Sequence, residues 1–336
     1  MMTRDSTATS TEIRKVVGLV VGLTILLAVM LCAFALPAVH TGAHGVPVCV
    51  VGNDQVVATV SEKLDGFEIS AYPDADAASA AILDRQIYGA FVVESGQVHT
   101  LVASAASSAA ATAITQAGSG LAAAQHLPAR VTDLRGFGAD DPRGAGLVAG
   151  ALPLALGGWI AAVVIMQVIG STRERILAVL AFSVVGGLGM TAVIQFVLGT
   201  FDGNYWLTFL AAMLGIAATA MTVLGLRELM GAAGLGVAAV LLILLGNPLS
   251  GLASAPEMLP TPWGTIGQLL PPGATGSLLR DVAFFDGHGA THALIVLFCW
   301  LIGGMVLYAI GLRRSGSSEN APHPDEEASS EKLTVL

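Results

Sequence analysis

The chain has 336 residues, of which 54% are hydrophobic and only 12% charged, with a formal net charge of −9. A soluble domain carries about 25% charged residues, so this composition excludes an ordinary water-soluble fold and points to the bilayer. Its three lysines, Lys15, Lys63 and Lys332, form no basic patch for a phosphate backbone, and no nucleic-acid partner is expected.

Residues 1–15 are polar, with Arg4, Arg14 and Lys15. Residues 16–38 are apolar and uncharged, a run of about 23 residues that spans a hydrocarbon core of about 30 Å. A cleaved signal peptide is the rival, because Ala33, Phe34 and Ala35 form a small-x-small pattern. The apolar run exceeds the usual signal-peptide core of about 7–15 residues, which favours an uncleaved first span.

The character changes over 40–145. The run 46–51 reads as a buried strand, 55–64 as a helix and 67–71 as an alternating strand. Residues 74–86 form an Ala-rich helix, with Asp74 and Asp76 as cap and dipole residues. Strands follow at 88–93 and 97–103, then a second Ala-rich helix at 105–124. Alternating strands and helices predict a small α/β domain. It holds one cysteine, Cys49, so no disulfide forms within it; Cys32 and Cys299 lie in apolar runs.

Apolar runs resume at 147–170, 176–199, 206–226, 229–246 and 292–312. With the first span they make six crossings. Arg14 and Lys15 place the N-terminus in the cytoplasm by the positive-inside rule. Arg173, Arg175, Arg227, Arg313 and Arg314 then all fall on the cytoplasmic side, while Asp202 and the α/β domain fall outside. The fold expected is a membrane all-α bundle with an inserted extracytoplasmic α/β domain, multi-pass in a bacterial cytoplasmic membrane, with both termini cytoplasmic. Residues 313–336, with Asp325, Glu326, Glu327 and Glu331, read as a disordered acidic tail.

Residues 247–291 hold six prolines and are too interrupted for a crossing. Short helices dipping into the outer leaflet fit this composition, with an ordinary surface loop as the alternative. Asn247, Pro248, Pro271, Pro272, Gly273 and Arg280 mark this outer re-entrant segment.

The span interiors carry no Asp, Glu, Lys or Arg, which removes the midplane ionisable groups that ion-driven transporters use. Gln167 and Gln195 are the candidates for lining a cavity or bonding between helices. Thr172, Arg173, Glu174 and Arg175 form the short charged cytoplasmic joint through which a partner's force would enter. No phosphate loop and no metal-ligand spacing occur, and His40, His44, His288 and His292 read as membrane-edge residues. No cofactor is expected in this chain.

Four stretches resemble the ABC-2 type exporter permeases, in the branch that includes the YhgE/Pip group. They are 46–52 (VPVCVVG) followed by Asp54; 77–86 leading into 88–93 (YGAFVV); 246–251 (GNPLSG); and 270–274 (LPPGA) with Arg280 following. The resemblance implies a dimeric transmembrane permease subunit, as homodimer or heterodimer in membrane lipid. A separate ATP-binding cassette subunit would hold ATP and Mg in trans and drive export of an amphiphilic or hydrophobic compound. The joint at 171–175 departs from the family in being shorter than its usual amphipathic coupling helix. A non-transporting envelope protein, whose outer domain binds a partner, wall component or phage, is the alternative, and a membrane enzyme ranks last for want of a convergent catalytic set.

Overall fold

The structure is a computed structural model that describes residues 5–40, 42–94 and 96–319. The described chain is mostly helical, with one small mixed sheet. Among the described residues, four helical stretches are long and apolar enough to cross a membrane: Glu12–Pro37, Thr172–Val197, Tyr205–Met230 and Ala290–Arg314. At about 1.5 Å per residue each exceeds the thickness of a hydrocarbon core. Leu156–Val168 and Ala232–Leu245 are apolar but shorter.

Helix α1 (Asp5–Val39) precedes the sheet. Strands β1 (Val46–Val51), β2 (Phe67–Tyr72), β3 (Gly89–Glu94), β4 (Gln97–Val102) and β5 (Ala129–Asp133) lie in the order β2-β1-β3-β4-β5. β1 runs parallel to β2 and β3, β3 is antiparallel to β4, and β4 is parallel to β5. Val46, Val48, Cys49 and Val50 are fully buried, as expected of a central strand covered on both faces.

Helices α2 (Asp54–Lys63), α3 (Ala75–Leu83) and α4 (Ser108–Ala124) connect the strands. The carboxylate of Asp74 accepts the Ala77 amide at 2.7 Å, and the Ser107 hydroxyl accepts that of Ala110 at 3.1 Å. These two caps set where α3 and α4 begin. Ser107 starts α4 three residues later than the sequence implies.

The bundle follows. Helix α5 is Ala145–Val168. Helix α6 (Thr172–Ala192) ends in a π-helical turn, Val193–Val197. Next come α7 (Tyr205–Met230) and α8 (Ala232–Ala239), the latter continuing as a π-helical turn, Val240–Leu245. Two short helices, α9 (Trp263–Gln268) and α10 (Pro271–Phe284), occupy the Pro-rich segment, and α11 (Ala290–Glu319) closes the chain. α11 runs past Arg314 to Glu319, so the start of the region expected as a disordered tail is helical. The acidic residues from 320 onward lie outside the described residues.

Helix α7 is the axis on which α5, α6, α10 and α11 pack. Its small residues permit close approach. A Cβ on Gly225 would sit 2.4 Å from the Gly304 carbonyl oxygen of α11, closer than any side chain allows. α1 stands apart: leucines and valines from Val16 to Leu36 remain exposed, as they would against lipid. The α/β core is continuous with the near end of the bundle. Phe91 and Ile114 belong to one buried cluster with Phe201, Leu278, Phe284 and Leu297.

Candidate functional site

Three places bear on function, and they are described from the far end of the bundle toward the α/β domain. At the far end, Arg175 in the first turn of α6 donates from Nε to the Ile169 carbonyl at 2.7 Å, closing the α5–α6 turn. Its Nη1 lies 3.5 Å from Glu228 Oε2 at the end of α7, with both side chains about four-fifths buried (20% and 18% exposed). The structure therefore joins the short segment 171–175 to the last turn of α7; Arg227 and Glu228 are helical, and the break before α8 falls at Gly231. Thr172 is half-buried, and Arg173 and Glu174 are exposed. Gly311 of α11 packs against the backbone of Glu228, so the ends of α5, α6 and α7 meet the body of α11 here.

The two intramembrane glutamines do not come together. Gln167 is exposed near the end of α5. Gln195 donates from Nε2 to the Gly203 carbonyl at 3.1 Å and braces the α6–α7 turn, while its Oε1 is buried without a partner. Neither lines the two cavities described next.

The first cavity is an apolar groove of about 660 Å³ between α1 and the start of the Pro-rich segment. Ile25, Val29 and Leu36 form one wall, and Leu245, Leu249 and Trp263 the other. Its lining is almost wholly hydrocarbon, and it opens where α1 stands away from the bundle. Such a lining suits an acyl chain or a flat apolar ring, with His40, Cys32 and Trp263 its polar-capable side chains.

The second is a polar cleft of about 360 Å³ where the α/β domain meets the Pro-rich segment. Across it, Arg85 Nε donates to Asp281 Oδ1 at 2.9 Å, and the Tyr88 hydroxyl donates to Glu257 Oε2 at 2.8 Å. The Arg85 guanidinium lies 5.0 Å from the Phe285 ring centroid and 5.6 Å from that of Tyr88, within cation–π range. Burial disfavours the Arg85 cation, but the groups around it, with the Asp281 and Glu257 carboxylates among them, more than offset that and hold its pKa above the ordinary value. Burial, reinforced by Glu257, raises the Tyr88 phenol, so Tyr88 remains a neutral donor.

The marked residues of the Pro-rich segment serve this arrangement unevenly. The Asn247 carbonyl accepts the Ser250 hydroxyl at 2.7 Å, and Pro248 sits half-buried in the same turn. Pro271 and Pro272 start α10, where a missing N–H costs nothing. Gly273 lets α10 approach α9: a Cβ there would meet the Gly267 carbonyl oxygen at 2.2 Å. Arg280 is buried (3% exposed), donates from Nη2 to the Leu252 carbonyl at 3.0 Å and leaves Nε unpartnered.

Sequence reasoning marked Arg280 but missed Arg85, Tyr88, Glu257 and Asp281. The available signal was a pair of adjacent charges, Arg280 and Asp281, inside the apolar run 278–285. Among the described residues no cluster of three or more His, Cys, Asp or Glu is placed to hold a metal. No family model, curated protein or solved structure matches the chain.

Proposed function

We propose that this chain is the transmembrane permease subunit of an ABC-2 type exporter. In this reading it crosses the cytoplasmic membrane six times, with the α/β domain outside and both termini inside. It moves an amphiphilic or hydrophobic compound, and a separate ATP-binding cassette subunit that carries ATP and Mg supplies the energy. The observation that carries it is the distribution of charge: Arg173, Arg175, Arg227, Arg313 and Arg314 gather at the end of the bundle opposite the α/β domain, and the helix interiors between hold no Asp, Glu, Lys or Arg.

Several features support the reading. Four helices have the length of a span; in this reading α5, at 24 residues, and the apolar stretch Ala232–Leu245, which is shorter than a span, are the other two crossings. The six spans of this reading carry no charged side chain in their interiors, and the buried charges Arg280 and Asp281 lie outside them on α10, so no relay for protons or ions runs along the spans and work must enter from a partner. The joined turns around Arg175 and Glu228 offer that partner one surface connected to α5, α6, α7 and α11. The apolar groove beside α1 suits the hydrocarbon part of a cargo. ATP binding in the partner would then shift the bundle between two populations.

The test is purification of the chain under mild solubilisation, followed by reconstitution. A copurifying subunit with a phosphate-binding loop, and ATP-dependent movement of a fluorescent amphiphile across the vesicle wall, is the expected result. A chain that captures no nucleotide-hydrolysing subunit, and whose α/β domain on a single anchoring helix retains the cell's phenotype, overturns it in favour of an envelope binding protein.

A further inference from the structure

The α/β domain is not a pendant on its two connecting strands. Gly42 N and His44 N donate to the carbonyls of Met258 and Glu257 at 3.0 and 2.9 Å, and the Ser107 hydroxyl bonds to the Ser254 carbonyl. Beyond them lies the buried pair Arg85–Asp281, its side chains 12% and 4% exposed. Asp84 and His288 meet at 2.6 Å on the rim, and Arg135 and Asp286 at 3.3 Å.

The second row of contacts falls on one place, the turn between α10 and α11. The Asp281 carbonyl accepts the Gly287 amide at 2.9 Å. A Cβ on Gly289 would lie 3.0 Å from Arg85 Cβ and 3.3 Å from both Asp281 carboxylate oxygens. Arg85 is thus pressed against the first residues leading into α11, the helix that packs most extensively along α7. Arg85 and Asp286 both hold left-handed backbone, φ 62° and 52°. Arg85 does so just after α3, where glycine is usual, so the contact is held against local preference.

The cleft beside the pair has the chemistry of a joint. Its polar walls satisfy each other: Gln268 Nε2 donates to the Ser250 carbonyl at 2.8 Å, and the Ser277 hydroxyl to Gln268 Oε1 at 2.7 Å. Of its charged lining groups, Arg85 is paired with Asp281, and Glu257 accepts the Tyr88 hydroxyl.

We propose that Arg85 and Asp281 form a latch that makes the α/β domain and the start of the last helix one moving body, so that a displacement of the domain is felt by α11 and a displacement of α11 moves the domain. These contacts couple the two parts whether or not the chain transports anything. Arg85 is a positioning residue, acting on α11 through Asp281.

Hydrogen–deuterium exchange of the full chain in detergent micelles tests it, read on peptides covering 84–94 and 285–296. Arg85→Ala should speed exchange at least tenfold in both peptides, while 46–51 and the middle of α7 stay protected. Asp281→Ala should do the same, and the double variant should be no worse than the worse single one. Faster exchange in 84–94 with 285–296 unchanged overturns the latch. If Arg85→Ala fails to fold, Arg85→Lys, which keeps the charge and loses the Nε contact, decides: a rise in both peptides sustains the proposal, and a rise in one or neither overturns it.

Discussion

Gly303 and Gly304 are neighbours on α11 with opposite surroundings. A Cβ on Gly304 would meet the α7 backbone, at 2.6 Å from the Met221 carbonyl carbon and 2.7 Å from the Thr222 nitrogen; one on Gly303 would meet nothing within 4 Å. Carbon atoms pack best at about 3.5–4.0 Å, so a methyl at 304 must part the helices by about 1 Å. A gap of that size forfeits about a quarter to a half of each contact of about 0.1–0.2 kcal/mol. If the crossing holds as many atom pairs as one buried leucine, about 40–60, the loss falls in the range of about 1–6 kcal/mol. Its lower half overlaps the cost of about 1–3 kcal/mol for overpacking a core, and the middle of that overlap is about 2 kcal/mol. Both Gly→Ala changes gain the same helix propensity, so their difference isolates packing. The assay is unfolding of the purified protein in mixed detergent–SDS micelles, followed by helical circular dichroism. Gly304→Ala should unfold about 2 kcal/mol more easily than Gly303→Ala, which should stay near the starting chain. Equal stabilities would refute the close α7–α11 crossing.

Two further outcomes follow from groups outside the spans. Asp141 accepts the Ala145 and Gly146 amides at 2.9 and 2.7 Å and the Thr200 hydroxyl at 2.7 Å, holding the start of α5. Burial raises its carboxyl, but these bonds outweigh that and leave its pKa below the ordinary aspartate value. Its contribution is therefore complete above the unfolded aspartate pKa of about 3.9 and is lost as pH falls through the depressed folded value. Asp141→Asn should lower the melting temperature at pH 7, by an amount corresponding to about 1 kcal/mol, and the gap should close in strong acid; a pH-independent gap contradicts this. Burial pushes the Cys49 thiol up to about 12, so N-ethylmaleimide at pH 8 should leave Cys49 unlabelled by mass spectrometry until denaturant is added. Rapid labelling in the folded protein would remove β1 from the core.

Much of the fold was legible because its signals are local. The apolar run of β1, the alternation in β2 and the Asp74 cap all lie within a few residues of what they determine. Strand β5 was missed because Ala129–Asp133 is short and polar: it lies at the sheet edge with little buried face, leaving no alternation to read. The continuation of α11 to Glu319 was hidden by Arg313 and Arg314, which read as the end of a span but sit inside a helix. The Arg85–Asp281 and Tyr88–Glu257 pairs were illegible for a different reason: their partners are 196 and 169 residues apart. Neither residue type nor spacing announces such a meeting; it depends on where the domain comes to rest on the Pro-rich segment.

Sidedness tests most directly the topology on which the export reading rests. Single cysteines at Arg130, on the exposed edge strand, and at Arg173, in the α5–α6 turn, can be introduced with Cys32, Cys49 and Cys299 replaced by serine or alanine. A membrane-impermeant maleimide applied to intact cells should label position 130 and not 173, and both after permeabilisation. Labelling of 173 in intact cells, or of neither position until the membrane is opened, contradicts an outside α/β domain driven from a cytoplasmic turn.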